Sequence, residues 1–186
     1  MGNGTQKTIV GRYRKGGFMS KIVVNAGHTK FSKGTGATGY LNESVETRKI
    51  AYELMKLLAD SKHEVIPAVY DKSENNLKEV VTLANNKNAD YVISIHLNAG
   101  GGQGCEVFTW KGQKTPQAVG ICNNLAALGF KNRGVKDGSS YYVIKNTKST
   151  VKTILVEVCF VDSKEDAELF KKVGYSNIAK AIFKVL

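Results

Sequence analysis

The sequence predicts an α/β protein: a single domain with a mostly parallel, twisted β-sheet of about six strands flanked by helices. Three observations lead there. Short apolar runs of strand length alternate with segments of helical periodicity, the pattern of a sheet with helices on its faces. The 186 residues suffice for one domain with a sizeable core and fall short of two comfortable ones. Hydrophobic residues make up 42% of the chain and only two residues are proline, the composition of a folded chain.

Residues 1–18 stand apart. They hold five glycines, the basic residues Lys7, Arg12, Arg14 and Lys15, and no acid. They read as a leader or an expression remnant without the apolar h-region of a secretory signal, and the folded domain is expected over 19–186.

Lys21–Asn25 is an apolar run short enough for a buried strand. A polar, Gly-rich loop over 27–39 follows. Ile50, Ala51, Leu54, Leu57 and Leu58 then share one stripe of a helix over about 43–60, with Asn42 as its N-cap. His63–Tyr70 reads as a second strand, with Pro67 placing it near a sheet edge. Leu77, Val80, Val81 and Ala84 define a second helix, and Tyr91–Leu97 a third strand. Beyond a loop over Gly100–Gly104, Cys105–Trp110 reads as a strand, and Thr115-Pro116 opens a helix with proline at its first position. Tyr141–Ile144 is expected as a short strand and Lys152–Cys159 as a buried one, before closing helices over about 163–173 and 175–185.

The net charge is +11, of which residues 1–18 carry four, leaving +7 on the domain. A basic surface favours a polyanionic partner: nucleic acid, anionic lipid or a wall polymer. The positives are scattered and lack the aromatic interleaving of a single-strand binder, so no nucleic-acid partner is expected. No run approaches the ~20 apolar residues of a membrane span. Cys105, Cys122 and Cys159 lie far apart in apolar runs, with no C-x-x-C pair, and read as buried free thiols of a chain made in a reducing compartment.

Ligands in open α/β sheets bind outside the carboxyl ends of the strands. Two of the three histidines fall there: His28 after the first strand and His96 within Ser94-Ile95-His96-Leu97-Asn98. Glu43, at the start of the first long helix, points along its apolar stripe, where a carboxylate is unfavourable unless paired or bound to metal. Glu157 sits amid Ile154, Leu155, Val156, Val158 and Phe160, where a charge is almost never buried without purpose or partner. Ordinary readings compete: an exposed His28, a His96 bonded to backbone, a Glu43 exposed in the first turn and favoured by the helix dipole. Two imidazoles and one carboxylate suit zinc with its fourth position open, although the separations of 15 and 53 residues match no local zinc signature. His63 is expected to be structural or exposed, since Pro67 breaks any H-E-x-x-H pattern. The Gly100–Gly104 loop leads into a strand and lacks a phosphate-binding pattern, so a flexible rim beside the site is expected.

Four ordered motifs carry a resemblance over about 19–186. They are Val23-Val24-Asn25-Ala26-Gly27-His28, Leu41-Asn42-Glu43-Ser44, Ser94-Ile95-His96-Leu97-Asn98-Ala99 and Ile154-Leu155-Val156-Glu157-Val158-Cys159-Phe160. Together with Ser163–Leu169 after the last strand, they resemble the zinc N-acetylmuramoyl-L-alanine amidases of the Amidase_3 type: autolysins, sporulation amidases and phage endolysins. Two departures, Thr29 after the first histidine and Cys159 before Phe160, bear on the rim and not on the ligands.

The resemblance implies one Zn²⁺ held by His28, Glu43 and His96, with Glu157 as the catalytic carboxylate. Zinc would polarise the lactyl carbonyl of muramic acid and lower the pKa of water. Glu157 would take the water proton and deliver it to the leaving amine of L-alanine. Asn98 would bond the stem peptide or orient His96. The expected substrate is peptidoglycan, with anionic wall polymers as a further partner. The expected protein is a monomer made without a signal peptide and acting on the wall, as phage-type lysins do. The competing readings are a zinc peptidase cutting within the stem peptide and a non-catalytic basic wall-binding module.

Overall fold

A computed structural model describes residues 9–10, 20–32, 34–61 and 63–186. Apart from Ile9–Val10, the expected leader lies outside the described residues. The elements run β1 (Ile9–Val10), β2 (Lys21–Ala26), α1 (Glu43–Ala59), β3 (Glu64–Ala68), α2 (Asn76–Lys87), β4 (Tyr91–Asn98), β5 (Cys105–Thr109), α3 (Pro116–Ala126), β6 (Asn132–Asp137), α4 (Tyr142–Asn146), β7 (Lys152–Phe160), α5 (Lys164–Val173) and α6 (Tyr175–Phe183).

The strands form one sheet in the order β1-β3-β2-β4-β7-β5-β6. Strands β3, β2, β4 and β7 are mutually parallel. β5 runs antiparallel to β7, and β6 pairs parallel with β5. The expected mostly parallel sheet of six strands is therefore present, extended by the two-residue β1, which pairs antiparallel with Glu64 and Val65 of β3. Pro67 lies beyond those two paired residues, near the sheet edge, where its missing N–H breaks no ladder of a central strand.

Strand alternation divides the core in two. Ile22, Val24, Ile93, Ile95, Ile154, Val156, Cys105 and Val107 face one side, where α1, α3, α5 and α6 cover them. Val23, Val92 and Leu155 face the other, packed with Val80, Val81 and Ala84 of α2 and Val143 and Ile144 of α4. This second face changes character along the strands. It is apolar near their amino ends, and it carries Ser94, His96 and Asn98 on β4 and Glu157 on β7 toward their carboxyl ends.

The helix boundaries follow local chemistry. The Asn42 side chain accepts from Val45 N at 3.2 Å, capping α1 as expected. Thr115 caps α3 through Ala118 N, with Pro116 in the first turn. Ser163 caps α5 through Asp166 N.

Two expectations fail. Tyr141–Ile144 is not a strand: Tyr142–Asn146 is a short helix, α4. Aromatic and β-branched residues favour strands, but Val143 and Ile144 are adjacent and both buried, which a strand with one covered face cannot achieve. Asn146 Nδ2 and Thr147 Oγ1 bond back to the Tyr142 and Val143 carbonyls, closing the turn. The strand at Asn132–Asp137 was unforeseen because this edge segment (NRGVKD) has no apolar alternation; its backbone ladder with β5 defines it. The three cysteines are buried free thiols, as expected. Burial pushes Cys105 up to about 12 and Cys122 to about 11, so both are inert thiols at neutral pH.

α1 is the helix that sets the site, and Leu54 in its centre is fully buried. Leu54→Ala should cost about 2–5 kcal/mol of stability, read as a lowered midpoint in urea unfolding with an unchanged slope.

Candidate active site

Glu43 opens α1 yet is only 3% exposed. Two backbone amides orient its carboxylate: Ala37 N donates to Oε2 at 2.9 Å and Leu97 N to Oε1 at 3.1 Å. The exposed first-turn alternative therefore does not apply. His28 Nε2 and His96 Nδ1 each lie 3.1 Å from Oε1 of this carboxylate. Ligand atoms of His28, Glu43 and His96 all fall within 4.8 Å of one another, a grouping able to hold a metal ion.

The backbone is bent to make this possible. His28 adopts φ +65°, a left-handed conformation uncommon for a residue with a side chain. Buried Arg48 braces that turn. Its guanidinium donates to the carbonyls of Ser44 (2.6 Å), Tyr70 (2.8 Å) and His28 (3.2 Å), and its Nε pairs with Asp71 at 2.9 Å. Two glycines leave room for the ligands. A Cβ on Gly27 would lie 2.5 Å from His96 Cε1, and one on Gly36, itself at φ +78°, would lie 2.6 Å from Glu43 Oε2.

The hydrogen-bond network tests whether a cation fits. His28 Nδ1 is 3.0 Å from the Gly34 carbonyl, which only accepts, so Nδ1 carries the ring hydrogen. Asn25 Nδ2 donates to the Ala26 and Ala68 carbonyls, so its Oδ1 is the acceptor for the Ser94 hydroxyl at 2.7 Å. Ser94 Oγ then accepts from His96 Nε2 at 3.1 Å. In the neutral rings, the nitrogens facing Glu43 are bare, and three electron-pair donors converge on one point. A cation satisfies all three at once. Without one, only ring protonation relieves the repulsion. Burial opposes that in both rings. At His28 the bond to Glu43 and its charge outweigh burial and raise the pKa, whereas at His96, the more deeply set of the two, burial wins and lowers it. For Glu43, burial works against ionisation, but the two imidazoles prevail and hold it far below the carboxylate range.

Glu157 on β7 is the cross-strand neighbour of His96 on β4, which puts the two side chains on the same face about 5 Å apart. It is 7% exposed, and its Oε2 has no hydrogen-bond partner among the described residues. Burial first, then the charges of Glu43 and Glu106, raise its pKa to about 8.

The model of the N-acetylmuramoyl-L-alanine amidase family matches residues 22–186. The chain belongs to this family. It is 33% identical over 172 residues to an uncharacterized protein of Clostridium perfringens, covering 87% of this chain and 50% of that one. It is 31% identical over 163 residues to the N-acetylmuramoyl-L-alanine amidase CwlM of Bacillus licheniformis, covering 84% of this chain and 63% of that one. The catalytic domain of the CD27L endolysin targeting Clostridia Difficile superposes with a TM-score of 0.79 at 29% identity, over 89% of this chain and 95% of that domain. The chain thus spans about half to two thirds of the length of these curated relatives and nearly the whole of a solved endolysin catalytic domain.

Within this fold, Asn98 does not bond His96. Its Nδ2 donates to Glu106 Oε1 at 2.6 Å and its Oδ1 accepts from Ala99 N at 2.8 Å. Ser94, not Asn98, orients His96. Glu106 went unnoticed in the sequence. It is 5% exposed, lies opposite Glu157 across the β5–β7 pair, and takes a second bond from Arg133 Nε at 2.8 Å. A charge inside Cys105–Thr109 was the available signal, the same one that exposed Glu157. Ser94, Arg48 and Arg133 carried no such mark. His63 lies apart from the site, near Ser20 at the start of β3.

The Gly100–Gly104 loop is tied down, contrary to the flexible rim expected. Asp162 Oδ2 accepts from Gly100 N and Gly101 N at 2.8 Å, and Asp166 Oδ2 accepts from Gly104 N at 2.8 Å. With these amides committed, the loop has little left to offer a phosphate.

Gly36→Ala should push Glu43 out of place and weaken divalent-cation binding roughly 10- to 100-fold, as measured by calorimetric titration. Glu157 gives a pH signature in the metal-stripped protein. Its pKa is raised from 4.5 to about 8, so the folded state holds its proton more tightly than the unfolded state between those values. Stability must then fall as pH rises through that window. Glu157→Gln should remove the fall, so its gain in Tm over the parent grows from pH 4.5 to 8 and disappears below it.

Proposed function

We propose that this chain is the catalytic domain of a zinc-dependent N-acetylmuramoyl-L-alanine amidase, which lyses walls by cutting the amide between muramic acid and L-alanine in peptidoglycan. The observation that carries this reading is the pairing of a three-donor cluster able to hold a cation with a buried carboxylate one strand away whose Oε2 has no partner among the described residues. His28, Glu43 and His96 would hold the ion, and two imidazoles with one carboxylate match the three-protein-ligand sets of catalytic zinc. Bound there, zinc supplies Lewis acidity toward an amide carbonyl and toward water.

The rest is the work of the chain itself. Glu157 has a free Oε2 and a proton affinity set by burial and by the charges of Glu43 and Glu106. It can accept a proton from attacking water and return it to the departing nitrogen. That return matters because an amine anion is a very poor leaving group. The oxygens of Glu43 and Glu106 are taken by donors, whereas Oε2 of Glu157 has none among the described residues and is placed to exchange a proton. The relatives named as amidases or endolysins support the choice of bond. The net +7 on residues 19–186 would add salt-sensitive attraction to an anionic wall. No helix among the described residues is long and apolar enough to cross a membrane.

The purified protein should contain about one zinc per chain and release new N-terminal alanine from walls. Glu157→Gln should lower the rate by roughly 10²- to 10⁴-fold while retaining its zinc. New amino termini other than alanine would point instead to a stem peptidase. A protein without metal and indifferent to chelators would point to a binding module.

A further inference from the structure

The polar row on the second face does not stop at Glu106. It runs from His96 on β4 through Glu157 on β7 and Glu106 on β5 to Arg133 on β6. Arg133 is held from two sides. Its Nε donates to Glu106 Oε2 at 2.8 Å, and its guanidinium carbon lies 5.0 Å from the centre of the buried Phe160 ring. These contacts set the plane of the guanidinium and use one of its five donors. The two terminal nitrogens bond to nothing among the described residues, and the side chain is 35% exposed.

Arg133 lines a groove of about 630 Å³ together with Tyr40, Lys131, Asp162 and Lys164. The acids there are engaged: Asp162 by Gly100 N and Gly101 N, Glu165 by Ser163 Oγ at 3.3 Å. Lys164 stands 3.9 Å from Glu168, and Lys131 makes no ion pair among the described residues. The uncommitted polar groups of the groove are therefore mainly donors, and a planar guanidinium with its terminal pair free is a fork for a carboxylate.

Direction follows from the proposed chemistry. Glu157 must reach the departing nitrogen, and it stands between the metal ligands and Arg133. The leaving peptide therefore runs toward Arg133. Three strand spacings separate β4 from β6, about 14 Å, the length of about four extended residues, and the arginine arm shortens that span.

We propose that Arg133 binds a carboxylate on one of the first residues of the peptide leaving group, making it a specificity-determining residue that selects acidic over amidated stems. This rests on the amidase reading above. The test compares N-acetylmuramoyl-Ala-Glu with free carboxylates against the same compound with both amidated. The zinc-loaded protein should favour the acid roughly 10- to 100-fold in kcat/KM, chiefly through KM. Arg133→Gln should bring that ratio close to one, and Arg133→Lys should recover only part of it. A general loss of fold would lower both rates and leave the ratio unchanged.

A second readout needs no turnover. Binding of the Ala-Glu dipeptide to zinc-stripped protein should weaken at least tenfold in Arg133→Gln. Cleavage of both compounds at equal efficiency by the parent overturns the inference and leaves the amidase reading intact. Cleavage of neither overturns the amidase reading, and equal dipeptide binding by parent and variant then overturns the role of Arg133 as well.

Discussion

The site depends on one buried carboxylate. Glu43 sits at 3% exposure with two backbone amides on its oxygens and two imidazole nitrogens 3.1 Å away. A charge in that position is costly unless it is answered, and the surrounding chain is arranged to answer it. The tautomers of both rings are set from behind, by Gly34 for His28 and by the Asn25–Ser94 pair for His96. What faces Glu43 is then electron density, which a metal ion or a ring proton can answer. The left-handed turn at His28, the small residues Gly27 and Gly36, and the brace of Arg48 all hold donors close together that would otherwise separate.

The sheet does the second part of the work. Its second face is apolar where α2 and α4 cover it and polar beyond them, so core and site share the same strands. Adjacent strands place His96, Glu157 and Glu106 in one row at strand spacing. The three buried glutamates then diverge by their partners. Glu43 has amides and imidazoles, Glu106 has Asn98 and Arg133, and Glu157 has an oxygen with no partner among the described residues. Burial and the neighbouring charges raise the pKa of Glu157. The stability lost by keeping it bare is offset by the large apolar core on the other face.

Much of this was legible in the chain. Periodicity marked most helices and strands, and caps at Asn42 and Thr115 appeared where their residue types predicted. Glu157 announced itself as a charge in an apolar strand, and Glu106 carried the same mark without being read. The failures have one cause. Asn132–Asp137 is a strand only because β5 lies beside it, and Tyr142–Asn146 is a helix only because Val143 and Ile144 must both be buried. A window of a few residues contains neither fact.

The sequence by itself determined the α/β alternation, the buried free cysteines, and most of the candidates for chemistry, because periodicity and charge in apolar runs are local properties. The tertiary structure alone decided that residues 28, 43 and 96 converge, that Ser94 rather than Asn98 turns His96, and that the glycine loop is tied to Asp162 and Asp166. It also decided that Glu106 lies opposite Glu157 and pairs with Arg133. These are distances between segments far apart in the chain, and strand order, register and helix placement set them together.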